Sequence, residues 1–212
     1  MDKSQKFVIT INRELGSGGR TVGAKLAARL AVPFFDKALI KALQEKYHLS
    51  VEEIERMKGR SHSWWAEFKR SLSVGYAMSQ NYYRNGFIEE PDVLTTDAMF
   101  AVEEEILRGI AAEESCVIAG RSGFYVFRDH PNHLSILIQA PLQQRIERIA
   151  TKRGISQEEA RKVIEEADRM RENYVQKYTH TSRYDTRNYD LVVSMAGKTE
   201  DEVADLILQY IG

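Results

Sequence analysis

The run Ile11-Asn12-Arg13-Glu14-Leu15-Gly16-Ser17-Gly18-Gly19-Arg20-Thr21 combines three glycines, two cations and two hydroxyls within a few positions. Glycines at 16, 18 and 19 free the backbone to turn and let successive N–H groups approach the oxygens of an anion, and a following helix would add the positive end of its dipole. The chemistry suited to such a segment is phosphate binding. Measured against GxxxxGK[ST], Gly19 matches the last glycine and Thr21 the Mg²⁺-binding hydroxyl, while Arg20 replaces the lysine and Glu14 the first glycine. Gly16, Ser17, Gly18, Gly19, Arg20 and Thr21 are thus the candidate cradle for the ATP phosphates, with Thr21 the candidate metal ligand. The plain alternative is a glycine turn that caps a helix.

Further candidates lie downstream. Asp36 ends a short extended run and could orient a Mg²⁺-bound water or an acceptor phosphate, or simply cap the next helix. Arg121 follows the apolar run Cys116–Gly120, where a guanidinium is aimed past a strand end with five donors for a phosphate or a base. Residues 145–187 hold eleven Lys and Arg against eight Asp and Glu, with arginine in excess. Phosphoryl transfer leaves little covalent work to a protein, so arginines that close over spread phosphate charge are the expected catalysts. Asp168 with Arg171, three residues apart, could equally form a solvated helix ladder. No general base is essential if the acceptor is itself a phosphate monoester.

These residues need elements to position them. Phe7–Ile11 reads as a strand buried on both faces, and Val22, Leu26 and Leu30 mark a helix after the glycine turn. Further strands are expected at 31–35, 116–120, 134–139 and 189–193. Helices are expected around 99–110 and from Pro141 to Arg153, and after the capping boxes at Ser156 and Thr199. Ser50 and Glu53 form another such box, opening a mostly helical insertion over about 50–88 that carries Trp64, Trp65, Tyr82 and Tyr83, aromatics that fit a core or an interface. Residues 88–114 contain nine acids and one base, which suggests a solvated helix face. Short apolar strands alternating with amphipathic helices predict one α/β domain over 1–212, three-layered, with a mostly parallel sheet and ligands at the strands' C-terminal ends.

A net charge of −1 offers no global field for nucleic acid, and no run of 18 apolar residues suggests a membrane span. The single cysteine, Cys116, lies in an apolar run and reads as a buried hydrophobe, and the five histidines show no metal-like spacing. The expectation is a soluble cytoplasmic protein with a small-molecule partner; self-association into a homo-oligomer is left open.

The loop from Thr10 to Arg20, the segment Val117-Ile118-Ala119-Gly120-Arg121-Ser122-Gly123 and the stretch Asp168-Arg169-Met170-Arg171 together resemble the cytidylate kinase-like family over nearly the whole chain. The resemblance implies a P-loop kinase fold with a core, an acceptor region and a helical lid over about 148–187. It implies an ATP- and Mg²⁺-dependent kinase acting on a nucleoside monophosphate, CMP or dCMP first. It places Arg121 on the arginine of a Gly-Arg-Asp motif that binds the acceptor nucleotide, although Ser122 stands in place of the aspartate. Arg148 and Arg153 match the start of the lid, and Asp168, Arg169 and Arg171 match a cluster that contacts acceptor ribose and phosphates. Arg20, Arg121, Arg148, Arg153 and Arg169 are then the expected catalytic arginines, and Asp36, Arg121, Asp168 and Arg171 the expected acceptor ligands. Two other readings stay open: a P-loop kinase for a different small molecule, and a nucleotide-binding protein without turnover. A P-loop sulfotransferase, which would need no Mg²⁺, is the most distant.

Overall fold

The computed structural model describes residues 1–37, 39–40, 50–58 and 97–212. Most of the expected insertion, with Trp64, Trp65, Tyr82 and Tyr83, lies outside the described residues. Five strands, β1 (Val8–Arg13), β2 (Phe34–Asp36), β3 (Cys116–Ala119), β4 (His133–Gln139) and β5 (Leu191–Ser194), form a sheet of order β2-β3-β1-β4-β5 in which every pairing is parallel. The expected α/β class with a parallel sheet is therefore observed. Helices α1 (Gly19–Arg29), α2 (Val51–Lys58), α3 (Asp97–Glu113), α4 (Gly123–Val126), α5 (Leu142–Arg153), α6 (Gln157–Thr179) and α7 (Glu200–Ile211) connect and cover the strands.

Successive residues of a strand point to opposite faces, and here each face finds its own layer. Val8, Cys116 and Ile118 pack with Val102, Ile106 and Ile110 of α3, whereas Ile9, Ile11, Val117 and Ala119 pack with Val22 and Leu26 of α1 and Val203 and Ile207 of α7. Both sides of β1 are buried, which explains why it reads as an unbroken apolar run rather than an alternating one. A third, smaller core joins Leu15 to Ile146 and Ile149 of α5 and Ala160 and Ile164 of α6. The capping boxes at Ser156 and Thr199 both form, each with a reciprocal glutamate three residues on. Among the described residues no helix is long and apolar enough to cross a membrane.

The last strand begins at Leu191, two residues later than its sequence pattern suggests, because Tyr189 ends a short 3-10 turn, Thr186–Asn188, and donates its hydroxyl to the Arg183 carbonyl at 2.7 Å. His133 at the start of β4 sits 2.8 Å from the Thr10 hydroxyl, and burial pulls its pKa down from 6.5 to about 4. The neutral imidazole is thus the form that folds, so its contribution is present above about pH 6.5 and is lost as pH falls toward 4, amounting to about 3 kcal/mol. Urea unfolding at pH 7 and pH 4.5 should show a drop that His133→Gln reduces; an equal drop in the variant would assign it to other groups.

Candidate active site at the glycine loop

Helix α1 starts at Gly19. Gly18, with φ +86°, is the cap, and its carbonyl accepts from the Val22 N–H at 3.1 Å. Gly19, Arg20 and Thr21 are therefore the first three helical residues, and the first-turn N–H groups, which lack helical acceptors, open at the C-terminal edge of the sheet. Gly16 also has a positive φ, +80°, and a Cβ there would stand 2.9 Å from the Arg145 carbonyl. Glycine is required at both places by conformation and by space.

The loop is braced from within and from below. The Ser17 hydroxyl donates to the Glu14 carbonyl at 2.9 Å and accepts from the Gly19 N–H at 3.3 Å. Glu14, standing where a glycine was sought, accepts from the Ala140 N–H at 3.0 Å and lies 3.4 Å from the Arg145 guanidinium, so it ties the loop to the end of β4. Leu15 is fixed on three counts: its side chain enters the third core, its N–H donates to Asp168 at 3.1 Å, and its carbonyl accepts from Arg145 Nε at 2.8 Å. Asp168 also pairs with Arg145 and lies 3.6 Å from Arg183 and 4.0 Å from Arg171. The carboxylate expected to face an acceptor is thus occupied in holding α6 against the loop.

The other expected residues divide. The Arg20 Nε donates to Asp36 at 2.6 Å, and the other oxygen of Asp36 accepts from the Leu39 N–H at 3.0 Å, so Asp36 caps a helix and anchors Arg20 together. Thr21 is exposed. With the cap at Gly18, Arg20 holds the second helical position and Thr21 the third. Arg148 does lie over the loop: a Cβ on Gly18 would fall 2.3 Å from its Nη1, and it pairs with Glu200 of α7. Arg153 ends α5, about 7 Å along the axis from Arg148. Arg169 is mostly exposed and pairs with Glu166 at 2.6 Å, the ladder that its spacing allows.

Arg121 and Ser122 follow Gly120 at the end of β3, and all three have positive φ, +83°, +56° and +51°. Two non-glycine residues in succession in this region mark a turn held by its surroundings. What holds Arg121 is a buried ion pair with Glu103 of α3 and the hydroxyl of Tyr174 of α6 at 3.1 Å, with its guanidinium 4.7 Å from the Tyr174 ring. Burial pushes the Glu103 carboxyl up against the lowering pull of Arg121, and burial likewise raises the Tyr174 phenol. The acidic stretch is therefore not wholly a solvated face: Glu103 is buried. Its position three residues before Ile106 and four after Met99 already placed it on the apolar stripe. Tyr174 and Arg183 carried no sequence signal beyond the arginine-rich context, since their partners are distant along the chain.

A model of the cytidylate kinase-like family matches residues 8–196. The chain belongs to that family. Cytidylate kinase from Sulfolobus acidocaldarius is 29% identical over 110 residues, 52% of this chain and 60% of that protein. A protein named uronate isomerase from Corynebacterium glutamicum is 30% identical over 99 residues, 47% of this chain but 19% of that protein. The chain spans less than two thirds of the length of each of these curated relatives. Among solved structures, an uncharacterized protein from Eubacterium ventriosum superposes with a TM-score of 0.69 at 22% identity, covering 97% of this chain and 98% of that one. Shikimate kinase from Bacteroides thetaiotaomicron gives a TM-score of 0.50 at 16% identity, with 97% of both chains covered. These likenesses establish the fold.

Within this family member, the Glu103–Arg121–Tyr174 cluster yields a direct stability test. Glu103→Ala would leave a buried guanidinium without its carboxylate and should cost about 3–5 kcal/mol in urea unfolding, whereas replacing both Glu103 and Arg121 by Met should cost clearly less. A double variant as unstable as the single one would show that packing, not charge, dominates there.

Proposed function

We propose that the chain is an ATP-dependent phosphotransferase whose acceptor is a nucleoside monophosphate, CMP or dCMP first. The observation that carries this reading is the strand–glycine loop–helix unit β1–Gly18–α1. Its capping glycine and first-turn N–H groups lie at the sheet's C-terminal edge, with Arg148 over the loop and Arg121 one strand away. Membership of the cytidylate kinase-like family supports the nucleotide acceptor.

In this reading the loop from Gly16 to Arg20 receives the ATP phosphates on backbone N–H groups and the helix dipole. An oxygen of the acceptor phosphate attacks the γ-phosphorus, its bond to the β–γ bridging oxygen breaks, and the pair of electrons leaves with ADP. The acceptor oxygen is already ionised, so the protein need not remove a proton. Its work is alignment and charge stabilisation, for which Arg148 stands nearest the loop. Arg121 reaches an acceptor only by exchanging its contact with Glu103 or by presenting its remaining donors. Arg153, Arg169 and Arg171 are proposed as later contributors, and Asp168 as the anchor of the loop rather than an acceptor ligand.

Mg²⁺, when bound, would neutralise charge on the β and γ oxygens. The described residues do not form a cage for it: Asp36 is engaged by Arg20, Thr21 is exposed, and no group of three or more His, Cys, Asp or Glu is suitably placed among them. No step is derived through the ion.

One observation favours a second reading, a kinase for another small acceptor. Ser122 occupies the place of the motif aspartate, and Arg121 is committed to Glu103 and Tyr174. ADP release from ATP and Mg²⁺ should rise above a no-acceptor blank with CMP or dCMP and less with UMP, AMP or GMP. Binding of ATP with no nucleotide above the blank would move the assignment to the second reading.

A further inference from the structure

In the frame set by the Gly18 cap, the residue after the last glycine is Gly19, not Arg20. That is the position from which a phosphate loop ordinarily sends a lysine to the β- and γ-phosphates. Here it carries no side chain, and the neighbouring Arg20 has its Nε on Asp36 at 2.6 Å. A loop that binds a triphosphate through backbone dipoles alone would lack the one full charge that the motif supplies.

The space around Gly19 shows where that charge has gone. A Cβ on Gly19 would lie 2.7 Å from the Cβ of Arg13 and 3.1 Å from the Cβ of Ile138, so the volume of a side chain at 19 is taken by the stem of Arg13. A Cβ on Gly120, at the end of β3, would lie 2.2 Å from Arg13 Nη1, so the head of the same arginine rests on a second glycine. Two glycines distant in sequence thus line the path of one side chain, which starts at the last residue of β1 and passes the first residue of α1 to the β3 end. Its backbone is fixed as well: Arg13 N–H donates to Asn12 Oδ1 at 3.0 Å, and its carbonyl accepts from the deeply buried Arg183. Arg13 is buried, at 9% exposure, with its stem beside Gly19 and its head beside Gly120.

We propose that Arg13 is the phosphate-binding cation of this loop, replacing from the strand side the charge that Gly19 cannot carry from the helix side. The guanidinium, which stays charged at any working pH and offers paired donors, would bridge two phosphate oxygens where an ammonium would contact them as a point charge. Clearance for Arg13 then accounts for the glycine at 19 and adds to the positive φ that already favours glycine at 120. This inference rests on the nucleotide-binding reading above and assigns the role given at first to Arg20 to a different residue.

Isothermal titration of ATP and of adenosine into the full chain tests it. Arg13→Met should weaken ATP binding about 10- to 100-fold while leaving adenosine binding unchanged, and Arg13→Lys should recover most of the loss. Arg13→Met that binds ATP as the unmodified chain does, or that loses ATP and adenosine equally, overturns the proposal. If Arg13→Met does not fold, Arg13→Gln takes its place and is compared with Arg13→Lys and the unmodified chain in the same terms. An unmodified chain that binds ATP no better than adenosine would overturn the phosphate-loop reading itself; phosphate-dependent affinity that survives Arg13→Met removes the Arg13 assignment alone.

Discussion

Leu15 is held by its N–H on Asp168, its carbonyl on Arg145 and its side chain in the α5–α6 core, and the geometry of the site depends on that attachment. A glycine loop has little stiffness of its own, since each glycine adds backbone freedom that folding must remove. Fixing one apolar residue in its middle confines the flanking positions, so that Gly16 and Gly18 can be held with positive φ and the first turn of α1 faces outward. The Asp168–Arg145 pair does this from two helices at once, which makes α5 and α6 part of the loop's support as well as its cover.

Arginine serves two purposes in this protein, and position relative to the glycine loop separates them. Arg145 and Arg183 are deep, and among their partners are Asp168 and the carbonyls of Leu15 and Arg13; they join β1 and the loop to α5 and α6. A buried guanidinium is costly unless its donors find acceptors, and these acceptors come from segments more than a hundred residues apart. Arg148 and Arg13 border the glycines themselves, where a phosphate would lie. Arg121 stands between the two groups, buried and paired yet set on a strained turn at the sheet edge.

Much of the fold was legible from periodicity and punctuation. Apolar runs located the strands because a strand buried on both faces has no alternation to hide it, and the boxes at Ser156 and Thr199 located helix starts because their partners lie three residues away. The frame of the glycine loop was less legible. Gly18 and Gly19 are adjacent and chemically identical, and only the position of the helix cap decides which one ends the loop. Glu103 was obscured by acidic neighbours although its phase on the helix is that of the core, and nothing near Asp168 in the sequence announces its bond to Leu15.

By itself the sequence determined the α/β class, the place of the glycine loop between the first strand and first helix, and the kinship of the chain, since these follow from local spacing and short motifs. The tertiary structure alone decided which glycine caps α1, that Asp36 takes Arg20, that Arg121 is buried against Glu103 and Tyr174, and that Arg13 crosses from Gly19 to Gly120. The reason is physical. A guanidinium on a long side chain chooses its partner by distance in space, and the parallel crossover topology brings together strand ends and helices that the chain keeps far apart.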